Sequence, residues 1–150
     1  ILMLGAASGQ TDPLRPLHFI SSASALEVTS NNKHLPHVIT TRLQLEEALS
    51  FAQSEQKIMI LDFYADWCIA CKVLDREVFS DSQVQSALNN FIFIQLDMTK
   101  NTAEQLALLD EFDLFGPPGV LFFKNKQRLN EADLIGEFNK TDFLNILSSF

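Results

Sequence analysis

The 150-residue chain holds two cysteines, and they stand together as Cys68-Ile69-Ala70-Cys71. Thiols three residues apart share one face of a helix, so their sulfurs can meet. If the helix starts at Cys68, that sulfur sits at the positive end of the helix dipole. The dipole favours the thiolate, the form that attacks a disulfide. Cys68 is therefore the candidate nucleophile, open to solvent. Cys71, one turn in and more buried, is the candidate resolving thiol for the mixed disulfide. A static disulfide is the alternative, but no further cysteine supplies a framework for one. Half a zinc site is another reading of C-x-x-C. His34-Leu35-Pro36-His37 has a shorter spacing than the usual finger and the wrong order, so no metal is expected.

Two acids accompany the cysteines. Asp62 lies within the apolar run Ile58-Met59-Ile60-Leu61-Asp62-Phe63. Burying a charge there is costly. A carboxyl in such a place responds by raising its pKa, and functional sites exploit that response. The bland alternative is an ion pair with Lys57 or Lys72. Asp75 follows Cys71 by four residues and Cys68 by seven, which puts it on the cysteine face of the helix. Its charge would oppose thiolate formation and partly cancel the dipole. The alternative is a solvated helical acid. Asp66 is expected at the surface.

The elements that must hold these residues follow from periodicity. The run from Ile58 to Ala65 predicts a central strand covered on both faces. A helix carrying the cysteines follows and ends near Val78-Phe79. Ser80-Asp81-Ser82 breaks it and caps a second short helix through Leu88. Upstream, Val38-Ile39-Thr40 predicts a short strand. Thr41-Arg42-Leu43-Gln44 has the form of a capping box. Leu45, Ala48, Leu49 and Ala52 then line one stripe of a helix. Downstream, Phe91–Asp97 predicts a strand, and Thr102-x-x-Gln105 caps a further helix. Gly116-Pro117-Pro118-Gly119 punctuates before a Val120–Phe123 strand. Leu134–Phe138 predicts an edge strand. A closing helix runs from Asp142 to Phe150 with Thr141 near its start.

Composition sets bounds. The length suits one domain with one core. A net charge of -8 without a basic run argues against nucleic acid. Thirteen Phe against one Trp and one Tyr predict a Phe-rich core. Ile1–Ala7 is apolar but far shorter than the ~20 residues that span a bilayer. Two readings stand for it: the outer end of a membrane helix, or the tail of a secretory signal. From Thr11 to about Pro36 the chain is rich in Ser, Asn, Thr and Pro and reads as an extended linker arm. The division expected is 1–35 for membrane-segment end and arm, and 36–150 for the folded domain.

The stretch Ile60-Leu61-Asp62-Phe63-Tyr64-Ala65-Asp66-Trp67-Cys68-Ile69-Ala70-Cys71-Lys72 resembles the active-site segment of thioredoxin-fold oxidoreductases. With Asp75–Leu88 and the Gly116-Pro117-Pro118 punctuation, the chain from about Leu35 onward is similar to one domain in particular. That domain is the C-terminal periplasmic one of the DsbD family of bacterial transmembrane thiol:disulfide interchange proteins. Gly5–Leu17 resembles the exit from that family's last membrane helix. The element order β-α-β-α-β-α-β-β-α agrees with the resemblance.

The resemblance implies an α/β thioredoxin fold, with a central mixed sheet flanked by helices and an extended N-terminal arm. It implies a protein-disulfide reductase domain at the inner membrane, facing the periplasm, with a dithiol as its working group and no metal or organic cofactor. Electrons would come from the membrane domain of the same protein and pass to its N-terminal periplasmic domain. Other periplasmic thioredoxin-fold proteins and cytochrome c maturation would be served indirectly. Asp62 would exchange the proton of Cys71, and Asp75 matches an acidic position. Trp67 would shield the site, although a surface-packed Trp would look the same. Pro118 would be a cis-proline facing the cysteines. The residue before it would offer backbone groups to a partner strand, and Pro117, lacking an N–H, could offer only its carbonyl. Gly119 departs from the Thr common at its position. The rivals are an oxidase or isomerase domain, and a non-catalytic thioredoxin-like binding module.

Overall fold

The computed structural model describes residues 37–150. The expectations for Ile1–Pro36, including the arm and His34, lie outside the described residues. Chain order runs through β1 (Val38–Ile39), α1 (Arg42–Ser54), β2 (Met59–Tyr64), α2 (Ile69–Leu74) and a π-helical turn (Asp75–Phe79). It continues with α3 (Ser82–Leu88), β3 (Ile92–Asp97), α4 (Ala103–Glu111) and β4 (Gly119–Lys124). Then come β5 (Gln127–Arg128), a 3-10 turn (Asn130–Ala132), β6 (Leu134–Ile135) and α5 (Lys140–Ser148).

The sheet has the order β1-β3-β2-β4-β5, with β6 also paired to β4. β2 runs parallel to β3 and antiparallel to β4, so the sheet is mixed and β2 is central. The apolar run that predicted a doubly covered strand has that place: Met59, Ile60, Leu61 and Phe63 are all fully buried. α1 and α4 both begin with complete capping boxes, at Thr41/Gln44 and Thr102/Gln105. Reciprocal capping of this kind satisfies backbone donors that a helix start leaves unpaired. Gln105 is itself buried, and its Nε2 donates to the carbonyls of Thr40 and Asp97, tying α4 to the ends of two strands.

The core below the sheet is Phe-rich as expected. Phe79 lies 5.1 Å from Phe93 and 5.5 Å from Phe143, ring centre to centre. Four details differ from the periodicity. The cysteine helix reaches Phe79 as predicted but widens into a π turn, closed by Ser80 N–H donating to the Asp75 carbonyl at 3.0 Å. A short β5 forms because Asn125 and Lys126 adopt positive φ and turn the chain back on β4. The strand expected over Leu134–Phe138 stops at Ile135, where Gly136 takes φ +84. The closing helix runs Lys140–Ser148, starting two residues before the expected Asp142, and is capped by Asn139.

Candidate active site

β2 ends at Tyr64, and the chain turns through Ala65-Asp66-Trp67 into α2. Three contacts fix that turn against the end of β3. Met98 N–H donates to the Tyr64 carbonyl at 2.7 Å, Asp66 N–H to Thr99 Oγ1 at 2.9 Å, and Trp67 Nε1 to the Thr99 carbonyl at 3.2 Å. Asp66 is exposed, as expected, and accepts from the Tyr64 hydroxyl at 3.1 Å. Trp67 is 53% exposed although its indole N–H is anchored.

Cys68 is the N-cap of α2, and its Sγ accepts from the Cys71 N–H at 3.1 Å. An amide aimed at this sulfur stabilises negative charge on it. The two cysteines are joined as a disulfide with Cα atoms 5.3 Å apart. One expectation is corrected here. Cys68 is only 6% exposed, barely more than Cys71 at 3%. The cause is local packing: both sulfurs sit in a small cluster with Ala65, Tyr64 and Ala70. Cys71 Sγ also lies 3.8 Å from the Phe63 carbonyl oxygen, one residue from Asp62.

Asp62 is 3% exposed on β2, and neither Lys57 nor Lys72 pairs with it. Its partner is Gln95, which faces it across β3 in register and donates Nε2–H to Oδ2 at 3.2 Å. Burial pushes the Asp62 carboxyl from 3.8 up to about 8; the Gln95 hydrogen bond pulls it down, and the charge of Asp75 adds to the rise. Asp75 opens the π turn half-buried, and burial raises its carboxyl too. The two acids singled out from spacing are therefore electrostatic neighbours. Tyr64 is raised as well, by burial first, then by its bond to Asp66 and the surrounding carboxylates.

The Pro117-Pro118 bond is cis. Pro118 is buried at the head of β4, where its carbonyl accepts from Gly136 N–H at 3.0 Å, and Pro117 is half-buried. Gly119 pairs with Phe63 across β4 and β2, so the proline turn and the cysteine turn leave the same end of the sheet. Gly119 also packs against Leu114: a Cβ there would sit 3.4 Å from the Leu114 side chain.

Four residues of this end escaped the sequence reading. Gln95 and Thr99 give no sequence signal without the register that brings them to Asp62 and Trp67. Ile69 is 80% exposed between the cysteines, and Phe115, beside the Gly-Pro-Pro turn, is fully exposed. Phe115 carried no signal of its own, because the composition spoke only for a Phe-rich core. Among the described residues no group of His, Cys, Asp and Glu is arranged to hold a metal ion.

The chain matches the thioredoxin-like family model over residues 39–125. It is 39% identical to thiol:disulfide interchange protein DsbD 1 of Pseudomonas aeruginosa over 140 residues, 91% of this chain and 23% of that protein. To DsbD of Ralstonia nicotianae it is 37% identical, over 96% of this chain and 24% of that protein. The chain thus spans about a quarter of the length of these relatives. Among solved structures, the oxidised C-terminal domain of Neisseria meningitidis DsbD superposes with TM-score 0.66 at 34% identity, covering 75% of this chain and 97% of that one. A thioredoxin from Thermus thermophilus shares the fold at TM-score 0.62 and 21% identity, covering 77% of this chain and 87% of that one. With its cysteine pair at the start of a capped helix and a buried acid on the central strand, the chain belongs to the thioredoxin-like family and, within it, to the DsbD C-terminal domains.

Proposed function

We propose that this domain relays electron pairs by thiol–disulfide exchange, taking them from a membrane-embedded dithiol and passing them to a periplasmic partner's disulfide. The observation that carries the reading is the disulfide Cys68–Cys71 at a helix start, with the buried carboxyl of Asp62 one residue from the carbonyl that Cys71 touches. The relatives' names support the chemistry, and their greater length supports a membrane domain and a second periplasmic domain as partners.

In the loading half, a donor thiolate attacks Cys68 Sγ and the Cys68–Cys71 bond breaks. Cys71 leaves as a thiolate and takes the proton that Asp62 holds at neutral pH. A second donor thiolate then attacks its own partner sulfur, releasing Cys68, and the donor is left as a disulfide. In the delivering half, the Cys68 thiolate attacks a partner disulfide, and one partner sulfur departs as thiolate. Cys71 then gives its proton to the Asp62 carboxylate, attacks Cys68 Sγ and releases the second partner sulfur. The partner gains two electrons, and the Cys68–Cys71 disulfide is restored. Asp75, close enough to raise Asp62, holds down ionisation across the site. Trp67, Ile69 and Phe115 offer apolar surface to the partner, and the Pro117 carbonyl offers an acceptor.

The test is a pair of variants. Cys71→Ser attacks but cannot resolve, so it accumulates a mixed disulfide on Cys68, visible as an added mass lost on reduction. Cys68→Ser abolishes turnover. Equal trapping through Cys71 in Cys68→Ser would reverse the roles.

A further inference from the structure

Asp62 and Gln95 are partners in a parallel register. Their strand neighbours Leu61, Phe63, Ile94 and Leu96 are all buried on the opposite face. Both side chains therefore share one face of the sheet. Gln95 Nε2 donates to Oδ2 at 3.2 Å, and Oδ1 accepts no hydrogen bond from any described residue. We infer that Gln95 is a positioning residue for Asp62: its amide fixes Oδ2 as an acceptor and leaves Oδ1 as the oxygen that carries the exchangeable proton. This rests on the proton-exchange reading of Asp62 for its use, but not for its geometry.

The surroundings make this one contact decisive. Along β2, Tyr64 lies two residues on and on the same face as Asp62. β4 presents the apolar Val120 opposite it. β3 presents Gln95, whose backbone N–H is taken by the His37 carbonyl at 2.7 Å beside β1. On the helix side, Cys71 Sγ lies 3.8 Å from the carbonyl oxygen of Phe63, the residue after Asp62, and the π turn brings the charge of Asp75 near. Burial and Asp75 disfavour the ionised carboxyl, and among the described residues Gln95 acts the other way. A hydrogen bond to a charged group is among the stronger ones, so its loss has a readable effect.

The experiment uses the whole oxidised chain labelled with 13C at aspartate carboxyls, with the Asp62 signal assigned by Asp62→Asn. Gln95→Met keeps the side-chain length and removes the donor; Gln95→Lys replaces it with a cation. Gln95 is partly buried, and both replacements are close to it in length, so neither opens a cavity. The Asp62 midpoint should rise by about one pH unit in Gln95→Met and fall by about as much in Gln95→Lys. The rate of disulfide reduction by dithiothreitol, expressed per thiolate, should shift along the pH axis in the same two directions. A merely structural role would lower the melting temperature of both variants without moving the midpoint in opposite senses. Midpoints within a few tenths of a unit of the parent in both variants would overturn the proposal. Midpoints that move while the rate profile stays fixed would uphold the Gln95 contact and overturn the proton-exchange reading of Asp62.

Discussion

Asp62 keeps its proton at neutral pH because burial withholds the water that would solvate its carboxylate, and one amide is too little to replace that water. The sign of the linkage follows. The folded-state pKa, about 8, lies above the ordinary 3.8. The stabilising contribution is full below about pH 4 and is lost as pH rises through about 8. Asp62→Asn removes the titration and keeps the shape. Its melting temperature should therefore match the parent near pH 4 and exceed it at pH 8, by the equivalent of several kcal/mol at most. The same variant should lose the fall in disulfide-reduction rate per thiolate that the parent shows as Asp62 ionises. Equal melting temperatures of parent and variant at pH 8 would remove the buried-charge argument. At this scale the sequence was informative where a residue contradicted its neighbours. An acid amid Ile58–Phe63 and an acid seven residues past Cys68 both marked themselves. Gln95 did not, because a glutamine in a strand is unremarked until the register puts it opposite Asp62.

At the scale of elements, capping and packing hold the site's scaffold. α5 seals the lower core with Phe143, which is fully buried against Phe79, Phe122 and Phe138 at 5.5, 6.4 and 5.6 Å. Phe79 ends the π turn that Asp75 begins, so this cluster reaches back to the active-site helix. Phe143→Ala should cost about 3–5 kcal/mol. Chemical denaturation would show it as a lower midpoint at unchanged slope; a loss under about 1 kcal/mol would mean the cluster repacks freely. Asp81, the N-cap of α3, is bridged by Lys140 of α5 at 3.1 Å, and that bond holds its carboxyl below the usual range. Helices and long strands were legible because capping boxes and apolar stripes are local signals. The π turn was not, since Leu74, Val78 and Phe79 fit an ordinary helix as well. Nor was β5, which exists only because β4 is there to pair with it.

At the scale of the molecule, the cysteine turn and the proline turn leave one end of the sheet, and Trp67, Ile69 at the start of α2, and Phe115 stand exposed there. Phe115 is fully exposed, and exposed aromatic side chains of this kind anchor partners. Phe115→Ser should slow exchange with a partner protein about tenfold, yet leave reduction by dithiothreitol unchanged, since a small thiol needs no docking. Equal slowing of both reactions would place Phe115 in folding or chemistry instead. The sequence could not reveal this surface, because a loop phenylalanine and a core phenylalanine are the same letter. No helix among the described residues is long and apolar enough to cross a membrane.

In the proposed relay the dithiol donates electrons rather than withdrawing them. The charge of Asp75, which already raises Asp62, disfavours further negative charge in the site, so the reduced form gains less from a Cys68 thiolate than a helix start alone would give. Strong oxidants owe their potential to a stabilised reduced form, and this site withholds that stabilisation. Equilibration of the Cys68–Cys71 pair against glutathione, read by mass after alkylation, measures it directly. The potential should lie nearer thioredoxin's, about -270 mV, than that of a strong oxidant, about -120 mV. A value close to -120 mV would contradict it.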